Sequence, residues 1–285
     1  MNKLSKNQRI QAINCLIEGC SIRSTVRMTG VAKKTVMRLL LEVGEVTARY
    51  QDKAFRNLPC QRLQVDELWA FIYAKQKNVT PTIVARNPNA GDVWLWVAMD
   101  ADTKLVPCWL LAGRDADAAS VFMRDLASRL KYRVQLTTDG HKAYLSAVEE
   151  AFGVDIDFSQ LIKLYGEAPE TETRYSPGEC IGCKRERIMG NPDPLHVSTS
   201  FVERQNLSAR MMMRRYTRLT NAFSKKIENH EAAVALNYFA YNFVRIHGTL
   251  RTSPAMAAGV TDRLWEVSDL VGLWEAEERR EERAA

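Results

Sequence analysis

Apolar positions mark out the first elements of the chain. Ile10, Ile13, Leu16 and Ile17 recur at helical spacing, and Gly19 offers the kind of residue at which such a helix stops. In CSIRSTVRMTGVAKKTVMRLLLEVG, Ser21 can cap a short helix bearing Ile22 and Val26. Thr29-Gly30 then makes a turn, and a second helix holds Val31, Val36, Leu39 and Leu40. A short helix, a tight turn and a second helix with Lys33, Lys34, Thr35 and Arg38 on its outer face predict a helix-turn-helix DNA-binding domain over 1–50. The same pattern also suits a plain helical hairpin with solubilising lysines. Residues 45–60 are polar and without a strong period; 51–60 read as a linker punctuated by Pro59.

The period then changes. LQVDELWAFIYA (63–74) reads as a strand, and DVWLWVAMDADTKLVPCWLLAGR (92–114) as two strands joined by a tight turn at Asp100-Ala101-Asp102. The stretch 115–130 returns to helical spacing, with Ala118, Val121, Phe122, Leu126 and Leu130 on one side. VQLTTDG (134–140) is another strand, and KAYLSAVEEAF a helix after it. Strands in a meander, then strands alternating with helices, predict an α/β domain with a mixed sheet over 61–260. Gly, Pro, Glu and Arg dominate 158–195 without a pattern, so that region reads as a loop-rich insertion. NHEAAVALNYFAYNFVRIH (229–247) is apolar on most sides, as a buried helix is. Residues 261–285 read as a charged tail, helical at best.

Charge sharpens this outline. The chain carries 40 Lys and Arg against 34 Asp and Glu, a net +6. The excess is concentrated: 11 basic against 4 acidic residues over 1–56, 9 against 3 over 203–251, and 4 against 8 from Asp262 onward. Two basic blocks around a mixed middle suit a polyanionic partner, here double-stranded DNA. No apolar run is long enough to cross a membrane, and MNKLSKNQRI lacks the apolar core of a secretory signal. The expected location is the cytoplasm, at the nucleoid, where the six cysteines stay mostly free thiols.

Three acidic residues stand out. Asp66 lies in an otherwise apolar strand, where an unpaired carboxylate is costly. Asp139 ends a strand and precedes Gly140, at the sheet edge where ligands bind in open α/β folds. Glu203 follows a Ser/Thr cluster at the head of a helix. Each has a plainer alternative: an arginine partner for Asp66, a helix cap for Asp139, and for Glu203 a capping box with Ser200. Together they could hold two divalent ions for phosphodiester chemistry, since hard cations take carboxylate oxygens. Asn206 and Arg210 fall one and two turns after Glu203 on the same face, where an amide and a cation could hold phosphate. Arg214 and Arg215, beside Met211 to Met213, combine core with a phosphate-binding face.

Asp66, Asp139 and Glu203, in this order after a helix-turn-helix, resemble the DDE triad of insertion-sequence transposases, most closely those of the insertion sequence 1 family. The resemblance is carried by VDELWAFI, TTDGHKAY, HVSTSFVERQNLSARMMMRRYTRLTNAFSKK and YNFVRIHGTLRTSPAMAAGV, and spans roughly residues 60–260. It implies an RNase H-like fold, with Asp66, Asp139 and Glu203 as metal ligands. DNA cleavage and strand transfer would depend on Mg²⁺ or Mn²⁺, and a dimer or larger assembly would act on DNA. Members often begin with a zinc finger; Cys15 and Cys20 make none here. A DNA-binding regulator with an inactive RNase H-like domain, or a nuclease without transfer activity, are the competing interpretations.

Other features have simpler explanations. Cys180-Ile181-Gly182-Cys183 is a lone CxxC in a predicted turn, short of the four ligands a structural zinc wants. His196 and Cys60 would have to join it by folding. Asp100 and Asp102 belong to the strand turn, Asp102 with an Asx-type bond. His247 ends a helix, where a cap or a packed ring is the ordinary role.

Overall fold

The computed structural model describes residues 4–166, 180–217 and 220–284. The chain opens with α1 (Lys6–Ile17), α2 (Ile22–Thr29) and α3 (Lys33–Ala54). Ser5 and Gln8 form a reciprocal capping box at the head of α1, and the Ser21 hydroxyl accepts the Ser24 amide at the head of α2. Gly30, at φ +70°, makes the left-handed turn into α3.

The sheet follows: β1 (Arg62–Ile72), a short α4 (Pro81–Arg86), β2 (Gly91–Asp100), β3 (Cys108–Ala112), α5 (Ala116–Arg129), β4 (Val134–Thr138), α6 (Ala143–Phe152), β5 (Ile156–Tyr165) and β6 (Cys180–Met189). Then come α7 (Ser200–Met212), α8 (Ile227–Phe239) continued by a wide turn at Ala240–Val244, α9 (Pro254–Ala257) and α10 (Val267–Ala284). The six strands lie in the order β3-β2-β1-β4-β5-β6. β1, β3, β4 and β5 run one way, β2 and β6 the other. A five-strand 3-2-1-4-5 sheet with only the second strand reversed is the RNase H-like arrangement, here lengthened by β6.

Alternation along the strands builds a core on each face. Leu63, Val65, Trp96 and Ala98 face Phe122 and Leu126 of α5 and Tyr144 and Val148 of α6. Leu68, Ala70, Leu95 and Val97 face Val202 and Ala209 of α7 and Val234 and Tyr238 of α8. The parity has a consequence for the carboxylates: Asp66 belongs to the α7 face and Glu67 to the α6 face.

Three expectations need correcting. Residues 45–54, expected to lack a period and from 51 to form a linker, are the second half of α3. Its buried stripe runs Val36, Leu39, Leu40, Val43, Gly44, Val46, Thr47 and Gln51, a helical period completed by small and polar residues. Those residues meet α8, where a Cβ on Gly44 would lie 2.5 Å from Ala232 Cα. Gln51 donates to the carbonyl of Ala235 at 3.3 Å and accepts from Asn242 at 3.3 Å.

The region 158–195 is not loop throughout: it contains most of β5, all of β6, and a stretch 167–179 that lies outside the described residues. Ser159 and Gln160 hide the pattern because they are buried polar groups, Ser159 beside the Thr137 hydroxyl at 3.3 Å and Gln160 on the Asp139 carbonyl at 2.9 Å. β6 escapes notice as an edge strand dressed in Lys184, Arg185 and Arg187, the usual protection of an open edge. It also carries the CxxC, which is therefore on a strand.

The tail is ordered as α10. Leu270, Val271 and Trp274 are buried in the core shared with α1 and α3. Arg9 lies 4.2 Å over the Trp274 ring and pairs with Glu275 and Glu278.

Candidate functional site

β1 and β4 are paired in parallel only as far as Val65 and Thr138. There β4 ends while β1 continues, and the space beyond is a cleft of about 840 Å³ lined by Asp66, Glu67, Asp139, Glu203, Arg210 and their neighbours. One oxygen each of Asp66, Glu67 and Asp139 can be chosen so that all lie within 4.8 Å of one another. Asp66 and Glu67 start on opposite faces of β1, and Asp139, at the end of β4, stands between them.

Each carboxylate is held from its own side. Asp66 Oδ2 accepts the Asn206 amide of α7 at 2.9 Å, and Asp66 Oδ1 accepts the Glu67 backbone N–H at 2.9 Å. Glu67, its side chain 3% exposed, accepts the Tyr144 hydroxyl of α6 and the Arg114 Nε at 3.1 Å. Arg114 also reaches Asp139 at 3.7 Å. Asp139 Oδ1 accepts the His141 N–H at 2.9 Å; α6 begins at Ala143 with no side-chain cap, so Asp139 shapes the turn and does not cap the helix.

Crowding and burial raise two of these acids, Asp66 and Glu67, toward neutrality. Burial, then the Asp139 charge, pushes Asp66 up to about 6. Burial likewise pushes Glu67 up to about 7, with Asp139 and Asp66 adding to the rise and Tyr144 and Arg114 opposing it. Desolvation and the Arg114 charge lower His141. Such a set of hard oxygen donors, charged at a cost that a cation would relieve, fits a divalent metal.

Glu203 lines the same cleft from α7 but stands apart from the trio. The capping box with Ser200 does not form: Thr199 is the N-cap, and no side-chain cap hydrogen bond is made there. Instead Glu203 Oε1 accepts the Thr199 hydroxyl and Oε2 meets Lys163 Nζ of β5 at 2.6 Å. The head of α7 is capped from β1: the buried Gln64 Oε1 accepts the N–H groups of Phe201 and Val202 at 2.8 and 3.1 Å. Strand and helix are thereby fixed two residues from Asp66 and one from Glu203.

The other site residues named from sequence divide. Arg210 is in the cleft. Asn206 also lines the cleft, is 3% exposed and donates its amide to Asp66. Lys33, Lys34 and Arg38 are exposed on α3 and Thr35 is half-buried; Arg38 also pairs with Glu42 at 3.5 Å. Lys33 and Arg214 meet at a second cleft of about 730 Å³, with Arg23 and Lys225. Arg215 turns inward to donate to Ser224 at 2.7 Å, and burial lowers it to about 10. It is Asp100, buried, that accepts the Thr103 N–H at 3.0 Å in an Asx-type turn, while Asp102 pairs with Arg62. His196 packs on Arg62, and His247 bridges to Thr252. Among the described residues, no cysteine or histidine joins a metal-binding group.

Sequence reasoning missed Glu67, Lys163, Arg114 and Tyr144. Glu67 had a signal, since the cost that singled out Asp66 applies equally to the next acid in VDELW. Lys163 had none, because β5 itself was not recognised.

Residues 89–160 match the family model of a DDE domain of the IS240 transposase type. The match runs from β2 into β5 and includes Asp139, with Asp66 and Glu203 outside it. No curated protein sequence matches the chain. A cryo-EM structure of the piggyBac transposase synaptic complex with hairpin DNA aligns with a TM-score of 0.46 and 9% identity, over 96% of this chain and 72% of that one. Among the described residues, no helix is long and apolar enough to cross a membrane. The chain is thus similar, across the middle of its sheet, to the DDE domain of transposases.

Proposed function

We propose that this protein is a DNA transposase of the DDE type, which binds transposon ends, cleaves there and joins the freed end to target DNA. The observation that carries this reading is the convergence of Asp66, Glu67 and Asp139 in one cleft with Glu203 and Arg210. The narrower placing in the insertion sequence 1 family rests on the four sequence stretches quoted above.

Asp66 and Asp139 would hold the metal, with Glu203 completing the set. Bound Mg²⁺ or Mn²⁺, two ions per site, would supply Lewis-acid activation of the attacking and leaving oxygens. Asn206 fixes the Asp66 carboxylate, and Arg114 bridges Glu67 and Asp139, so the acids are oriented before substrate arrives. Arg210 would pair with a DNA phosphate at the cleft. In the overall reaction water cleaves a phosphodiester and leaves a 3′-OH. That hydroxyl then displaces a 3′ oxygen from a target phosphodiester, with no covalent bond to protein. Lys33, Lys34, Thr35 and Arg38 on α3 would read the end sequence in the major groove, and Arg214 would grip its backbone. Pairing two ends calls for a dimer or larger assembly.

The test is a strand-transfer assay with linear donor ends, with and without Mg²⁺, comparing wild type with Glu203→Gln. Metal-dependent cutting and joining are expected of the wild type, with a loss of at least about 100-fold in the variant. Equal joining by Glu203→Gln would remove that residue from the site. DNA binding with no cleavage under any metal would favour a regulator.

A further inference from the structure

Glu203 is the one cleft acid that the structure keeps out of the carboxylate cluster, and what keeps it out is specific. Its two oxygens are both taken, Oε1 by the Thr199 hydroxyl and Oε2 by Lys163 Nζ at 2.6 Å. Lys163 and Glu203 are 33% and 37% exposed, so the pair is neither sealed in the core nor a loose surface contact. Lys163 projects from β5, opposite Cys183 on the edge strand, into the cleft that Asp66 and Asp139 line. One turn along α7, Asn206 is already committed to Asp66 and its Oδ1 is buried without a partner.

We propose that Lys163 is a positioning residue whose ammonium competes with divalent metal for Glu203. In the metal-free protein it occupies the electrostatic role of a cation, satisfying Glu203 while holding it off the Asp66–Glu67–Asp139 cluster. Metal loading then requires the exchange of one cation for another at Glu203. This inference rests on the cleft being the metal site proposed above.

The test titrates Mn²⁺ calorimetrically into the full-length protein without DNA. The variants are Lys163→Gln, Lys163→Arg, Glu203→Gln and the double Lys163→Gln/Glu203→Gln, with Asp66→Asn as control. Removing a competing cation at this exposure should tighten Mn²⁺ binding roughly three- to tenfold in Lys163→Gln. Lys163→Arg should return to the wild-type affinity. Loss of a positive charge near any cation site favours binding by long-range attraction alone, so the double variant decides: it should bind as Glu203→Gln does. Unchanged affinity in Lys163→Gln, or equal tightening whether or not Glu203 is present, overturns the proposal. Undiminished binding by Asp66→Asn instead overturns the metal-dependent reading of the cleft, and the inference falls with it.

Discussion

The seam between α3 and α8 and the cleft at the end of β1 belong to one molecule and follow opposite rules. In the seam, backbones approach until Gly44 has no room for a Cβ, and its polar groups are paired: Gln51 with Ala235 and Asn242, and Asn242 with Val106. In the cleft, like charges are gathered and kept short of full ionisation by burial and by one another. The seam gains from closeness, whereas the cleft gathers its acids at a cost that a bound cation would relieve. The difference separates what holds the protein together from what it does.

The largest expected effect lies in the seam. Gly44→Ala would drive a methyl into the Ala232 backbone, and neither helix can yield without disturbing Gln51. A loss of about 2–4 kcal/mol is expected in chemical denaturation. A change within 0.5 kcal/mol would mean the helices slide apart easily and the seam is looser than drawn.

The cleft should respond with the opposite sign. Glu67 has its folded pKa raised to about 7, so its contribution to stability is present below the unfolded carboxylate range and is lost as pH rises through about 7. Glu67→Gln does not titrate and can still accept from Tyr144. It should therefore stabilise the metal-free protein at pH 8 by about 1–3 kcal/mol, an advantage that shrinks toward pH 5. Denaturation at both pH values checks this; a variant less stable at pH 8 would show that the Arg114 pair outweighs the crowding.

The smallest effect returns to the seam. Gln51→Leu removes bonds to Ala235 and Asn242 but leaves Asn242 its two contacts with Val106. A loss of about 1 kcal/mol is expected, the same at pH 5 and pH 8 because nothing there titrates. A pH-dependent loss would join the two regions that the structure keeps separate.

How much of this was legible in the sequence follows from the same contrast. β1, β2 and β4, with α5 and α6, announce themselves because each buries a regular apolar face, and Asp66 and Asp139 stand out against that regularity. The second half of α3 is hard to see because Gly44, Thr47 and Gln51 carry its stripe forward without hydrophobicity. β5 was hidden by Ser159 and Gln160, and α10 by the many acids that mask Leu270, Val271 and Trp274. Glu203 is legible at the head of its helix, but its partner is not: a lysine 40 positions away becomes a neighbour only through the sheet. Local pattern reports burial; long-range ion pairs leave no periodic trace.

The Gln64 cap gives the site a tolerance for change elsewhere. Two amides of α7 are keyed to a side chain of β1 across 137 and 138 positions of sequence. The distance from Asp66 to Glu203 is therefore set by contact and not by the length of chain between them. Changes in the length of the chain between the two contacts can thus be absorbed without retuning the acids.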